Sequence, residues 1–198
     1  MITKICGIKE KETLLCCEKK GVNFFGMIFY KKSPRNISKH NAIQLQELSL
    51  NLNINGVGVF VNQNLNNLRR FIKDLNLKFI QLHGEENNEY IKTIKEEGVK
   101  VIKKISIQNH YDLEKINDYF DTDYLLFDYK AEMNDLPGGN SKSFDWNIIK
   151  NLNINKPWFL SGGINLNNIE LIRTKIHPFG VDLSSGVEKE LGIKDNHI

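Results

Sequence analysis

The chain has 198 residues, 40% hydrophobic and 26% charged, with 27 basic against 24 acidic side chains and a net charge of +3. A chain of this size buries a sizeable core without disulfides or metals, and its charge is too balanced for a dedicated nucleic-acid binder. No apolar run reaches the roughly 18 residues of a membrane helix, so a nucleic-acid or membrane partner is not expected.

In chain order, the first apolar run is residues 4–6, "KIC". It is followed by "KEKETLLCCEKKG", which sets Leu14 and Cys17 on one helical face and stops at Gly21, a helix C-cap. Residues 24–29, "FFGMIF", form the second run, and a third, "GVGVFV" at 56–61, follows a long interval. "NLNNLRRFIKDLN" places Leu65, Leu68, Ile72 and Leu75 at helical intervals ahead of the run at 78–83, "KFIQLH". "NNEYIKTIKEEG" brings Tyr90, Ile91 and Ile94 to one face and leads to "KVIKKI" at 100–105. "NHYDLEKINDYF" does the same with Leu113, Ile116 and Phe120 ahead of "YLLFD" at 124–128. A polar, glycine-containing loop leads to "PWFLSG" at 157–162, the helical pattern "NLNNIELIRTK" and a last run, "FGVDLSSG", at 179–186.

Near-continuous apolar runs suit parallel strands buried on both faces. Eight of them recur roughly every 21–24 residues, with two intervals of about 33, and helical segments stand between them. The expectation is an α/β fold: one (β/α)8 barrel domain, a minimal TIM barrel, over residues 1–198. A flavodoxin-like open sheet ranks second, because it needs only about five strands. The lysine pairs 19–20, 31–32 and 103–104 read as solvated faces or loops.

Cys6, Cys16 and Cys17 are odd in number, two are adjacent, and no histidine pair stands nearby at zinc-ligand spacing. No disulfide framework and no structural zinc are expected, and reduced thiols fit a cytoplasmic location. Catalytic groups of a barrel sit at the C-terminal ends of its strands. That rule selects Cys6, the loop carrying Arg35, His83, Asp128, Gly162 with Gly163, and Ser184, Ser185 and Gly186. The small-residue loops after the last two strands make a phosphate site, where backbone N–H groups approach an anion closely. Asp128 ends a buried strand with no helix directly after it, which suits a general acid or base, whereas Asp145 reads as a helix cap. Arg35 is either a solvated loop residue or a planar fork for a carboxylate. His83 is either bonded to backbone at a strand end or part of the site. Cys6 alone is a buried small hydrophobe, and its place at a strand end beside Gly7 argues for a site.

Seven stretches, in order, resemble the phosphoribosylanthranilate isomerase family of tryptophan synthesis: "KICGI", "FYKKSPRNI", "GVFVN", "QLHG", "GG..KSFDW", "LSGGIN" and "GVDLSSGVE". The resemblance implies a cofactor-free Amadori rearrangement of a small phosphoribosyl anthranilate substrate by a monomer or homodimer. It implies Cys6 as general base and Asp128 as general acid, Arg35 on the anthranilate carboxylate, and Gly162, Gly163, Ser184, Ser185 and Gly186 at the phosphate. Asp182 would bond a ribose hydroxyl, and Gln81 and His83 would line the pocket. The chain departs from the family at Asn140 and Ser141, where a hydroxyl residue and a glycine are usual. It also departs at its C-terminus, where the eighth helix is expected to be short or absent. Other phosphosugar barrel enzymes and a non-catalytic binding protein on the same fold are the rival readings.

Overall fold

The computed structural model describes residues 1–130, 138, 142–150 and 152–197. Among these, eight parallel strands close into a barrel in sequence order. They are β1 (Ile2–Cys6), β2 (Phe24–Ile28), β3 (Asn55–Phe60), β4 (Phe79–Leu82), β5 (Lys100–Ile107), β6 (Tyr124–Tyr129), β7 (Trp158–Leu160) and β8 (Gly180–Leu183). Closure comes from β8 pairing with β1, with Lys4 in register with Asp182. The expected TIM barrel is thus present.

Four helices of at least two turns cover the outside: α1 (Lys11–Lys19), α2 (Lys39–Ser49), α3 (Leu65–Leu75) and α4 (Asn88–Lys95). Three start at a side-chain cap: Ser38 accepts from the Asn41 N–H, Asn64 from Asn66 and Asn67, and Asn87 from Tyr90. Helix α2 has no counterpart in the sequence reading. Its apolar stripe is narrow, with Ala42 and Leu45 buried among polar neighbours, so its periodicity is faint.

Later connections are tighter than expected. Residues His110–Asp118 wind as a 3-10 helix opened by a capping box between Asn109 and Asp112. The next segment splits into a short α5 (Ile169–Leu171) and a π-helical turn, Ile172–Ile176. Asp145 does cap a short 3-10 turn, Trp146–Ile148. After β8, a turn at Ser185–Val187 leads into an antiparallel pair, β9 (Glu188–Glu190) and β10 (Ile193–Lys194), with no further helix among the described residues.

The barrel interior is layered. At the N-terminal end of the strands, Val57, Ile102, Leu126 and Phe159 fill it, packed by Ile2, Phe24, Phe79 and Tyr124. Phe24 meets Phe79 edge-on with centroids 5.1 Å apart. The larger core lies between the outer strand faces and the helices. The described residues include no helix long and apolar enough to cross a membrane.

Candidate active site

Two residues further along, about 6.6 Å, most inward side chains turn polar: Lys4 and then Cys6 on β1, Gln81 on β4 with His83 just after it, Lys104 on β5, Asp128 on β6 and Asp182 on β8, while β2 and β3 carry Gly26 and Val59. The reading of Lys103 and Lys104 as solvated is corrected here, since both are buried. Strand β5 is covered on both faces, so both lysines are enclosed whichever way they point. Lys103 points outward, donating to the Gly84 carbonyl at 2.6 Å and to Glu86 at 2.9 Å. Lys104 lies inside, in the field of Asp128, and burial pushes its pKa down.

Cys6 ends β1 and is 6% exposed. Gly7 follows at φ +85°, and a side chain there would run into Arg35, its Cβ 2.9 Å from Arg35 Cδ. Gly26 sits beside Cys6 in register on β2, where a Cβ would come within 2.7 Å of the sulfur. The thiol therefore occupies space that the neighbouring strand leaves empty. Burial pushes the Cys6 thiol above its ordinary value, against the opposing pull of Lys4. Facing positive charge does not by itself yield a low thiol pKa here; desolvation wins.

Asp128 ends β6, 4% exposed. Its Oδ1 accepts from the Tyr129 N–H at 2.9 Å, and its Oδ2 lies 3.4 Å from His83 Nε2. Gln81 Nε2 donates to His83 Nδ1 at 3.0 Å, which leaves the proton of a neutral ring on Nε2, facing Asp128. Burial lowers the His83 pKa and favours that neutral ring. The His83 backbone N–H donates to the Phe60 carbonyl at 2.8 Å, extending the β3–β4 pairing by one residue.

Two adjoining clefts open on this layer. The first, about 550 Å³, is bounded by Cys6, Arg35, Gln81, His83, Asp128 and Asp182 among others, with mostly apolar walls from Ile28, Val59 and Val61. The second, about 370 Å³, is bounded by Gly162, Gly163, Ser184 and Ser185 together with Lys142 and Ser161. Asp128, Ser161, Asp182 and Ser184 border both. Gly162 and Gly163 have φ of +87° and +66°, a backbone that turns toward the cleft as side-chain-bearing residues rarely do. Gly186 packs so tightly that a Cβ would lie 1.9 Å from the Ile164 carbonyl oxygen, which locks the loop after β8 onto the loop after β7.

Cys6, Arg35, His83, Asp128, Gly162, Gly163, Ser184 and Ser185 thus border one or the other of two adjoining clefts, and Gly186 lines neither. Arg35 borders the cleft but is itself 2% exposed, and its Nε and Nη2 form a two-pronged ion pair with Glu188 at 2.7 and 2.9 Å. The fork read as a carboxylate clamp thus already grips a protein carboxylate. Lys194 completes this cluster, donating to Glu188 at 2.7 Å and to the Ser184 carbonyl at 2.9 Å, and the cations hold the Glu188 pKa down at about 2. The β9–β10 hairpin thereby braces the loop after β8. Asp182 gives Oδ2 to Lys4 at 2.8 Å, while its buried Oδ1 has no hydrogen-bond partner among the described residues.

Sequence reasoning missed Lys4, Lys104, Lys142 and Ser161. Lys142 stands inside the quoted "KSFDW" stretch, with its ammonium 5.7 Å from the Tyr129 ring centroid; the motif held that signal. Asn140 and Ser141 lie outside the described residues. The described residues hold no cluster of three or more metal-ligating side chains.

The family model described as N-(5'phosphoribosyl)anthranilate (PRA) isomerase matches residues 3–198. A curated N-(5'-phosphoribosyl)anthranilate isomerase of Parabacteroides distasonis is 37% identical over 198 residues, covering 98% of this chain and 88% of its own. The crystal structure of the phosphoribosyl anthranilate isomerase of Thermotoga maritima superposes with a TM-score of 0.89 at 34% identity, over 100% of this chain and 94% of the other. A phosphoribosyl anthranilate isomerase solved in complex with reduced 1-(o-carboxyphenylamino)-1-deoxyribulose 5-phosphate superposes at 0.85 and 33% identity, with the same coverage. A closed parallel barrel, a polar rim and full-length similarity agree: the chain belongs to the N-(5'-phosphoribosyl)anthranilate isomerase family.

Proposed function

We propose that this chain isomerises N-(5'-phosphoribosyl)anthranilate to 1-(2-carboxyphenylamino)-1-deoxyribulose 5-phosphate, with Asp128 as general acid and Cys6 as general base. One observation carries the reading: Cys6 and Asp128, from β1 and β6, border one apolar-walled cleft that adjoins a glycine- and serine-lined one.

Asp128 gives its proton to the ribose ring oxygen. The nitrogen lone pair expels that oxygen from C1, opening the ring to a protonated imine. The carboxylate left behind meets the Tyr129 N–H and the His83 Nε2–H. The cationic imine acidifies the C2 hydrogen, and the Cys6 thiolate takes it. The C–H electron pair becomes the C1–C2 double bond, and the imine pair returns to nitrogen. The enolamine then tautomerises to the aminoketose. A thiol whose pKa is raised by burial is a stronger base once ionised, and the arriving imine supplies an electrostatic partner for it.

Gly162, Gly163, Ser184, Ser185 and Gly186 would take the phosphate through backbone N–H and hydroxyl groups, with Lys142 adding charge. The unsatisfied Asp182 Oδ1 suits a ribose hydroxyl. Arg35, fixed by Glu188, would border the anthranilate carboxylate. Gln81 and His83 orient the acid from beneath.

The test is to add the protein to enzymatically generated phosphoribosylanthranilate and follow its fluorescence. Protein-dependent decay with formation of the aminoketose is expected. No decay, where a known homologue turns over, would leave a binding protein. Preference for the aldose of the histidine pathway in a parallel assay would favour the nearest rival, although Cys6 stands where that enzyme has a carboxylate.

A further inference from the structure

The mechanism above gives no task to the buried charge of Lys4. Lys4 is 0% exposed, two residues before Cys6 on the same inward face of β1. The register of β1 on β8 sets it opposite Asp182, and its Nζ donates to Asp182 Oδ2 at 2.8 Å. On the other flank stands Gly26. A Cβ there would lie 2.7 Å from Cys6 Sγ and 3.2 Å from Lys4 Nζ. Sulfur and ammonium thus converge on one spot that β2 leaves vacant. The desolvation penalty of a buried ion pair can exceed its Coulombic gain, and one layer lower the same barrel is filled by Val57, Ile102, Leu126 and Phe159. A barrel core does not require this ammonium.

We propose that Lys4 is a positioning residue for proton abstraction: its ammonium, pinned by Asp182, lies beneath Cys6 and stabilises the thiolate. This rests on the reading of Cys6 as the base. The thiol's proton passes to solvent, the thiolate so formed takes the C2 hydrogen as a proton, and Lys4 keeps its three protons throughout. No bond to Lys4 nitrogen forms or breaks.

The charged groups around the sulfur come from several elements. Lys4 on β1 favours the thiolate, Asp182 on β8 opposes it, and Lys194 on β10 favours it more weakly than Lys4. Arg35 lies against Gly7 from the β2–α2 loop and is paired with Glu188. His83 and Asp128 stand elsewhere around the same cleft. Strand β2 offers only Gly26 at this level.

The test reads the sulfur without turnover. In a background where Cys16 and Cys17 are serine, the pH dependence of Cys6 alkylation by iodoacetamide is measured beside the pH profile of kcat/KM. Lys4→Met is expected to slow alkylation near pH 8 about tenfold, one pKa unit, and to move the acid limb of kcat/KM upward to match. Asp182→Asn is expected to shift both the other way, because the group it removes opposes the thiolate. The double variant leaves no buried charge alone, so it keeps the test readable if a single variant fails to fold; it should still alkylate more slowly than the background protein. Overturning results are an unmoved alkylation profile in folded Lys4→Met or in the double variant, or the same direction of shift from both single variants, as a merely structural ion pair would give. If Cys6→Ser turns over at the wild-type rate, the base reading fails, while the alkylation profiles still report whether Lys4 governs the sulfur.

Discussion

The two ends of the barrel interior use the same strands for opposite purposes. At the N-terminal end, inward positions carry Val57, Ile102, Leu126 and Phe159, closed by aromatic edges such as Phe159 on Phe24, 6.2 Å between centroids. Two residues on from Ile2, Phe79, Ile102, Leu126 and Gly180, the inward positions carry Lys4, Gln81, Lys104, Asp128 and Asp182. Apolar burial stabilises the first layer. In the second, every buried polar group is a cost unless it is bonded, and most are: Lys4 with Asp182, Gln81 with His83, Asp128 with the Tyr129 N–H. Within the barrel, then, one layer gains stability from apolar burial and the next gives some of it up to enclose charge.

Substitutions can break that contrast from either side. The largest effect belongs to the polar layer. Asp128→Asn removes the proton donor and should lower kcat by about 10³-fold, within the usual range of general acid–base catalysis, while the urea midpoint barely moves. The mirror experiment is Phe159→Ala. It should cost about 3–5 kcal/mol of stability, read by urea denaturation, yet leave KM near wild type in protein that is still folded. If Phe159→Ala abolished turnover without changing stability, the division of labour between the layers would be wrong.

Gly186→Ala tests the loop interlock. Its Cβ would lie 1.9 Å from the Ile164 carbonyl oxygen, so the loops after β7 and β8 must part. KM for the phosphorylated substrate is expected to rise about tenfold, equivalent to ~1.4 kcal/mol, with a smaller change in kcat. An unchanged KM would detach these loops from phosphate binding.

The smallest effect is on the pH dependence of stability. Glu188 is held at about 2 by Arg35 and Lys194, below its ordinary 4.5. A depressed carboxyl contributes stability that is complete above 4.5 and lost as pH falls toward 2. The melting temperature should therefore drop between those values, and Glu188→Gln should flatten that portion of the profile. An unaltered profile in the variant would place the acid sensitivity elsewhere.

The barrel was legible because parallel strands buried on both faces leave near-continuous apolar runs, and all eight runs became strands. Helix α2 was not, because its stripe is little more than Ala42 and Leu45 between amides and charges. Lys103 and Lys104 were misread for the complementary reason. A lysine pair usually means solvent, and only the closed sheet shows that one points to Glu86 and the other into the barrel. The site was legible by strand ends: Cys6, His83 and Asp128 surround the same cleft. The burial and pairing of Lys4 were invisible, since its partner Asp182 lies 178 residues away. Arg35 was found but not its partner, because nothing in "KSPR" points to Glu188.

In the proposed reaction Cys6 and Asp128 act on bound substrate rather than hold it. The most direct measurement compares, for Cys6→Ser and Asp128→Asn, the turnover of phosphoribosylanthranilate with the affinity for reduced 1-(o-carboxyphenylamino)-1-deoxyribulose 5-phosphate. A fall in kcat of about 10³-fold or more is expected in both variants, with only a few-fold change in affinity. Turnover near wild type in either variant, or loss of binding in step with loss of turnover, would contradict these roles.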